Sequence, residues 1–575
     1  MKYFSILTVL IFISCLSAKK SPFDISSPGI GMGMGFALVF GSSSNSQTNT
    51  TGNTTTTTTT TPTNIGDTTS PTGTVTNLKS KGTLDFGLLI GTASDNVGIA
   101  SVELQINSGS YASATTLTNS TTVTGTKDWT YKIPITAKWT YAFTNTVNVR
   151  VTDTSGNTTI SALTSVQKGE NRDINGDGFV DLVVGAPTYN TNQGRVYVFN
   201  GSATGISQTN ATSASQIFTG TVGRKFGSSV AMTDINGDGY ADMLVCEFLD
   251  GSGTNSAYYF LGSSNGFASK ITISQVASTE YCSSLSVGDF NSDGYGDVAI
   301  ADTVSAGAIG IYLGTASGLN LTQNQTITRS GPTNFGGSIA IGDINGDGKL
   351  DIVSRTLSAP NVYSFLGSSN TFIQSSSIIL SNAISSLVLA DFNGDGKADL
   401  AVGETGFSGS TGRVQIFLSN GTTLNTTVSQ LLVGEATNDF FSKNLSVGDA
   451  NLDGITDLIA GSPGFGGAND NGKIYIFYGC LTLGICKGSG NASVADLQIT
   501  GTFTVQLGTS TKVFDTNRDG FPDLLASGPI ANGLGAVFIF KGSTSGISSN
   551  YTSNSNASNT IYGEGSVTNF GLSLY

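Results

Sequence analysis

The sequence predicts an all-β chain, a small β-sandwich followed by a seven-bladed β-propeller. Three observations predict it. Gly numbers 75 and only 11% of the 575 residues are charged, with Ser and Thr abundant, a composition of strands and turns more than of helices. Between 73 and 166 apolar and polar residues alternate, as half-buried strands do. From 173 onward the nonapeptide "DINGDGFVD" recurs in seven close copies at intervals of 48 to 66 residues, the spacing of a propeller or array.

The N-terminus, "MKYFSILTVLIFISCLSAKK", places Lys2 ahead of an apolar run from Phe4 to Ile13. It reads as an export signal over 1–18, because a membrane-spanning helix needs about 20 apolar residues. "FISC" resembles a bacterial lipobox, which makes Cys15 the expected lipid-bearing residue; "LSA" before Lys19 suits ordinary signal peptidase, and both cleavages stay open. Residues 19–72, with "TTGNTTTTTTTTPTN", lack apolar periodicity and read as a tether. Strands are expected in "TLDFGLLIGTASD", "IASVELQIN", "DWTYKIPIT" and "NTVNVRVTDTSGNTT". With "SDNVGIASVELQIN" and "VNVRVTDTSGN", residues 73–166 resemble bacterial immunoglobulin-like domains, which implies a spacer without chemistry. Trp129 and Trp139 are expected to pack in or against its core.

The nonapeptide carries the chemistry. Position 1 is Asp173, Asp234, Asp289, Asp343, Asp391, Asp449 or Asp515, and position 3 is Asn175, Asn236, Asn291, Asn345, Asn393, Asn451 or Asn517. Position 5 is Asp177, Asp238, Asp293, Asp347, Asp395, Asp453 or Asp519, and position 9 is Asp181, Asp242, Asp297, Asp351, Asp399, Asp457 or Asp523. Position 6 is always Gly. Oxygens at alternating residues around a sharp Gly turn are what Ca²⁺ takes. The backbone carbonyl of position 7 can add another, from Phe179, Tyr240, Tyr295, Lys349, Lys397, Ile455 or Phe521. An EF-hand is excluded, since it needs Glu at position 12 and flanking helices, whereas position 12 after Asp173 is Val184 in an apolar run. A metal-free turn has no use for three carboxylates crowded seven times. The loops hold 21 of the 39 acidic residues, three in each, so up to seven structural Ca²⁺ would bring the net charge of −13 close to neutral.

Each repeat also reads as four strands, as in "FGSSVAMTD", "YADMLVCEF", "NSAYYFLGSSNGF" and "SKITIS". "FG" before the loop, at 226–227, 335–336 and 570–571, D-x-N-x-D-G-x-x-D within it, and Gly185-Ala186-Pro187 after it resemble the FG-GAP repeats of the integrin alpha-subunit propeller, over 168–575. That resemblance implies cations that brace the blades structurally, and ligand binding through loops on one face to protein or matrix partners. The first nonapeptide follows "SVQKGENR", with no such strand, while the sequence closes on "SVTNFGLSLY". The C-terminal strand is therefore expected to complete the first blade and close the ring.

Composition excludes other classes. With no His, His-based acid–base catalysis, the Ser-His-Asp triad and His-containing zinc sites are gone. A pI near 4.4 argues against nucleic acid. The expectation is a non-enzymatic, calcium-stabilised binding or adhesion protein at the outer membrane or cell surface. Alternatives are a glycan-binding propeller using Tyr189, Phe248 and Phe465 as stacking rings, an envelope scaffold, and a polysaccharide-acting enzyme. Cys480 and Cys486 lie close enough for a local disulfide; Cys246 and Cys282 are either a disulfide or free thiols.

Overall fold

A computed structural model describes residues 67–75, 83–84, 88–117, 126–133, 145–168 and 171–575, the last range apart from 249–254, 277, 279, 330–333, 369–370, 468–469, 503, 518, 520 and 566–568. Cys15, the export signal, Trp139 and most of the expected tether lie outside the described residues. Among those described, no helix is long and apolar enough to cross a membrane.

The N-terminal strands are β1 (Thr72–Val75), β2 (Thr83–Leu84), β3 (Leu88–Ser94), β4 (Ile99–Ile106), β5 (Ala112–Ser113), β6 (Thr115–Leu117), β7 (Thr126–Lys132), β8 (Asn145–Asp153) and β9 (Thr158–Lys168). They form two sheets, ordered β1-β3-β7-β6 and β2-β9-β8-β4-β5. Alternation in the sequence decides what is buried: Val102, Leu104 and Ile106 of β4 and Val147, Val149 and Val151 of β8 turn inward. They share one core with Leu89, Tyr131 and a fully buried Trp129. Each such side chain contributes about 1.5–3 kcal/mol. The expected tether ran to residue 72, but its last residues are held to these sheets. Asn157 donates from Nδ2 to the carbonyl of Asp67 at 2.9 Å, and β1 begins at Thr72.

From 171 onward, seven sheets of four or five strands follow one another among the described residues, each built on a four-stranded antiparallel meander; the fifth adds Gly490–Asn491, parallel to Gln430–Val433. In the second of them the order is Phe226–Thr233, Asp242–Glu247, Asn255–Phe260 and Ile271–Val276. The strand that leaves each nonapeptide is buried on both faces, as in Asp242–Glu247, Asp399–Glu404 and Asp457–Ser462. Its apolar run without alternation follows from that, because neighbouring sheets cover both sides. The fourth strand lies outermost and alternates instead, as Gln216–Thr219 shows.

The "FG" mark has a backbone reason. Phe226 is buried and Gly227 has φ +85; Phe335 with Gly336 (φ +104) and Phe570 with Gly571 (φ +89) repeat the pair. The same left-handed step occurs where the sequence hid it, at Tyr281-Cys282 (φ +60), Phe441-Ser442 (φ +71) and Leu507-Gly508 (φ +89). A large buried side chain followed by a left-handed residue is the common feature, and Gly is the usual solution.

The first meander takes its inner strand from the other end of the chain. Its sheet runs Gln216–Thr219, Arg195–Phe199, Leu182–Ala186, Ser573–Leu574, with Val184 opposite Leu574 and Gly185 opposite Ser573. Val183 and Tyr575 exchange backbone hydrogen bonds at 2.8 and 3.0 Å. Phe570 stands edge-on to Tyr197, with ring centroids 5.4 Å apart.

Cys246 and Cys282 form a disulfide between the second and third meanders, closing a separation of 36 residues. Loop-closure entropy alone makes such a bond worth about 4 kcal/mol. Cys480 and Cys486, expected to be close enough for a bond, are both free thiols. The Cys486 thiol instead donates to the Gly479 carbonyl at 3.0 Å.

Candidate metal-binding loops

Six of the nonapeptides join the first strand of a meander to the second, the one at 173–181 leads into Leu182–Ala186 with its inner strand supplied by Ser573–Leu574, and in each the side chains fold back onto the loop's own backbone. In 173–181, Asp173 accepts the N–H of Gly176 on Oδ1 and that of Gly178 on Oδ2, each at 2.7 Å. Asn175 Oδ1 accepts from Asp177 N at 2.9 Å, and Asp177 Oδ1 from Phe179 N at 2.9 Å. Asn175 Nδ2 donates to Asp177 Oδ2 at 2.9 Å. Short Asx side chains that satisfy backbone donors two to five residues on make the tight loop possible. Position 6 donates to position 1 again at Gly239, Gly294, Gly348, Gly396 and Gly454, at 2.7–3.0 Å.

Position 9 has a different task. All seven of these aspartates are fully buried. Asp181 Oδ2 accepts from Ile174 N at 2.9 Å, and Oδ1 from Gly201 N at 2.8 Å, tying the loop to the start of the next turn of its own meander. The second bond recurs from Gly262, Gly314, Gly367, Ser419, Gly479 and Gly542. The loops also lace one meander to the next. The carbonyl of Asp173 accepts from Ala241 N at 2.8 Å, that of Asp234 from Gly296 N at 2.7 Å, and that of Asp343 from Ala398 N at 2.6 Å. In the last loop the donating position is Pro522, which has no N–H to give.

Countercharge is scarce in the loops. Burial, with the neighbouring carboxylates adding to it, pushes Asp181, Asp242, Asp399 and Asp457 up to about 8 and Asp351 to about 7. Burial likewise lifts Asp173, Asp234 and Asp343 to about 6 and Asp289 to about 7. Lys397 stands 3.5 Å from Asp395, but in the first four loops no described basic side chain pairs with an aspartate. Only hard oxygen donors are present, in sets of three carboxylates that repel one another. That donor set fits a divalent cation such as Ca²⁺. The three carboxylates of a loop are nevertheless held apart by the N–H groups they serve. Among the described residues, the one trio with carboxylate oxygens all within 4.8 Å of one another is Asp67, Asp95 and Asp153, in the N-terminal sheets.

The comparisons with known proteins fall on these loops and the strands around them. The FG-GAP repeat family matches residues 171–199, 383–417 and 443–477, and the FG-GAP-like repeat family matches 234–300 and 289–354. The chain carries FG-GAP repeats. Integrin alpha-V of Gallus gallus is 30% identical over 203 residues, covering 32% of this chain and 19% of that protein. Integrin alpha-7 of Homo sapiens is 34% identical over 120 residues, 20% of this chain and 10% of that protein. The match thus spans less than a fifth of the length of these relatives. Among solved structures, a candidate 6-phosphogluconolactonase of Bacteroides fragilis aligns with 69% of this chain and 98% of its own at 13% identity and a TM-score of 0.43. A likeness that slight carries no argument about activity. An all-β chain of successive meanders with FG-GAP repeats fits a β-propeller.

Two features of the FG-GAP loops escaped the sequence reading. Position 4 is left-handed as well as position 6, with φ +72 at Gly176 and +89 at Gly178, and Ser292 (φ +60) and Leu452 (φ +64) adopt it without being Gly. The frequent "NGDG" spelling was its signal. The expected stacking rings are engaged elsewhere. The Arg195 guanidinium lies 3.9 Å over Tyr189, and the Lys473 ammonium 4.4 Å over Phe465. Arg413 over Phe407 at 4.4 Å repeats the device, a cation at the start of the third strand capping a ring from the preceding turn. Phe248 is half-buried.

Proposed function

We propose that this chain is a calcium-stabilised, non-catalytic recognition protein displayed outside the cell. In this reading the seven meanders are the blades of one closed propeller, the N-terminal sheets are an immunoglobulin-like spacer, and Cys15 carries a lipid anchor. The observation that carries it is the sevenfold loop, which gathers three carboxylates on its own backbone and in its first four copies shows no described basic side chain paired with them. Bound Ca²⁺ would neutralise the carboxylates and hold adjacent blades in register. Positions 1, 3, 5 and 9 and the position 7 carbonyl would hold it. Similarity to integrin alpha subunits supports a protein ligand on the loops of one face, by analogy of fold.

The test is a binding screen of the chain against matrix proteins and glycans, run in Ca²⁺ and again in chelator. Saturable binding to a protein, lost in chelator, is the expected result; binding to neither class sinks the recognition reading. Lipid labelling of wild type against Cys15→Ser tests the anchor, and label retained in the variant removes it.

A further inference from the structure

We propose that Asp67, Asp95 and Asp153 form a separate Ca²⁺ site at one end of the N-terminal sheets. The topology brings them together. Asp67 precedes β1, Asp95 follows β3, which pairs with β1, and Asp153 ends β8, where it lies opposite Ile99 at the start of β4. One oxygen from each lies within 4.8 Å of the other two.

A second observation points into the cluster. Asp95 is only 8% exposed, and its Oδ1 is buried with no hydrogen-bond partner. Its Oδ2 is satisfied, by Val97 N at 2.8 Å and Gly98 N at 3.0 Å. Asp67 repeats the pattern: Oδ1 accepts from Thr69 N at 3.0 Å and Asn96 Nδ2 at 3.2 Å, while Oδ2 is buried and unpartnered. Asp153 is the anchored member, with Oδ1 taking Ser155 N and Asn157 N, and Oδ2 taking Asn157 Nδ2, all at 2.8 Å. The same Nδ2 reaches the Asp67 carbonyl, so Asn157 pins two of the three.

Two orphaned, buried carboxylate oxygens in a cluster of three carboxylates, with no described basic side chain paired to them, are a costly arrangement. Lys127, which could neutralise it, donates to the Ile99 carbonyl at 2.7 Å instead. A hard cation of charge +2 satisfies both orphans, and three carboxylates gathered from separate strand ends suit Ca²⁺, which tolerates irregular geometry, better than Mg²⁺, which demands a near-ideal octahedron. The ion would clamp the strand ends to residue 67.

Both tryptophans of the chain, at 129 and 139, lie within the N-terminal 73–166 segment, so tryptophan-sensitised Tb³⁺ emission reads this site apart from the seven loops. Titration of the full chain is expected to give emission that Ca²⁺ competes away. Asp95→Asn, which keeps a side-chain oxygen for the turn, and Asp67→Asn, at the edge of the sheets, should each weaken it at least about tenfold. Asp177→Asn, in a propeller loop, should leave it unchanged. Absence of emission in wild type, or equal emission in both cluster variants, overturns the site. Tryptophan fluorescence without Tb³⁺ checks that the variants are folded, and a variant that fails this check is judged on the other one.

Discussion

Two regions of this chain gather carboxylates, and they do it in opposite ways. In the propeller loops the three aspartates fall within nine residues, and nearly every oxygen that can be traced is met by a backbone N–H, as at Asp173 and Asp181. In the N-terminal sheets the three come from residues 67, 95 and 153, sit closer together, and leave two oxygens with no partner. A loop that satisfies its own acids can form before any ion arrives. A cluster that depends on three strand ends meeting is complete only when the sheets are, and its missing partner must come from outside.

The comparison is tested hardest by removing calcium altogether. Each site that binds only the folded state adds about 2.7 kcal/mol at a hundredfold excess over Kd, and on the proposed reading seven would act on the propeller against one on the sheet pair. Calorimetry with and without chelator should show the propeller transition falling well below its calcium-loaded temperature. Tryptophan fluorescence, confined to 129 and 139, should report a much smaller fall. Equal shifts would erase the distinction.

Single carboxylates come next. Asp181→Ala strands the N–H groups of Ile174 and Gly201 in a site with no exposure, and should cost about 3 kcal/mol in denaturant unfolding. Asp95→Asn measured in chelator should change stability by less than about 1 kcal/mol, because the orphaned oxygen made no bond to lose.

The pH dependence without metal has a definite sign. Asp181, Asp242, Asp399 and Asp457 are raised to about 8 in the fold, above the unfolded value near 3.9. Folding therefore takes up protons. Their contribution is full below about pH 4 and lost as pH climbs through 8, so in chelator the melting temperature should decline from pH 5 to pH 8. Calcium should flatten or reverse that slope, since the ion needs the ionised form. A chelated protein that gains stability over this range would contradict the burial of these groups.

The smallest effect probes how freely a loop chooses its residues. Leu452 holds φ +64 where four other loops have Gly. Leu452→Gly should stabilise by about 1 kcal/mol, the relief of a left-handed backbone in a residue with a side chain.

Legibility in the sequence followed the same division. The nonapeptide could be read because its donors are contiguous and a turn that tight admits few spellings. The seven meanders followed from its period, and the C-terminal strand from the "FG" left without a loop at 570–571. Tyr281-Cys282, Phe441-Ser442 and Leu507-Gly508 could not be read as the same mark, because the backbone demands only a large buried side chain and a left-handed step. The Asp67 cluster left no trace either. Each of its aspartates looks like an ordinary turn residue, and only strand pairing across 86 positions, from 67 to 153, makes them neighbours. The state of the two cysteine pairs depended on Cα approach, which spacing does not encode.

The pairing of Ser573–Leu574 with Leu182–Ala186 also imposes an order in time. Those residues emerge from the ribosome about 390 positions apart, a delay of about 20 to 80 s at ordinary elongation rates. Six meanders can form from chain already made, while the first waits with an open inner edge. During that wait the edge is a template for any passing strand, so the newborn molecule is most vulnerable to mispairing at the blade it began first.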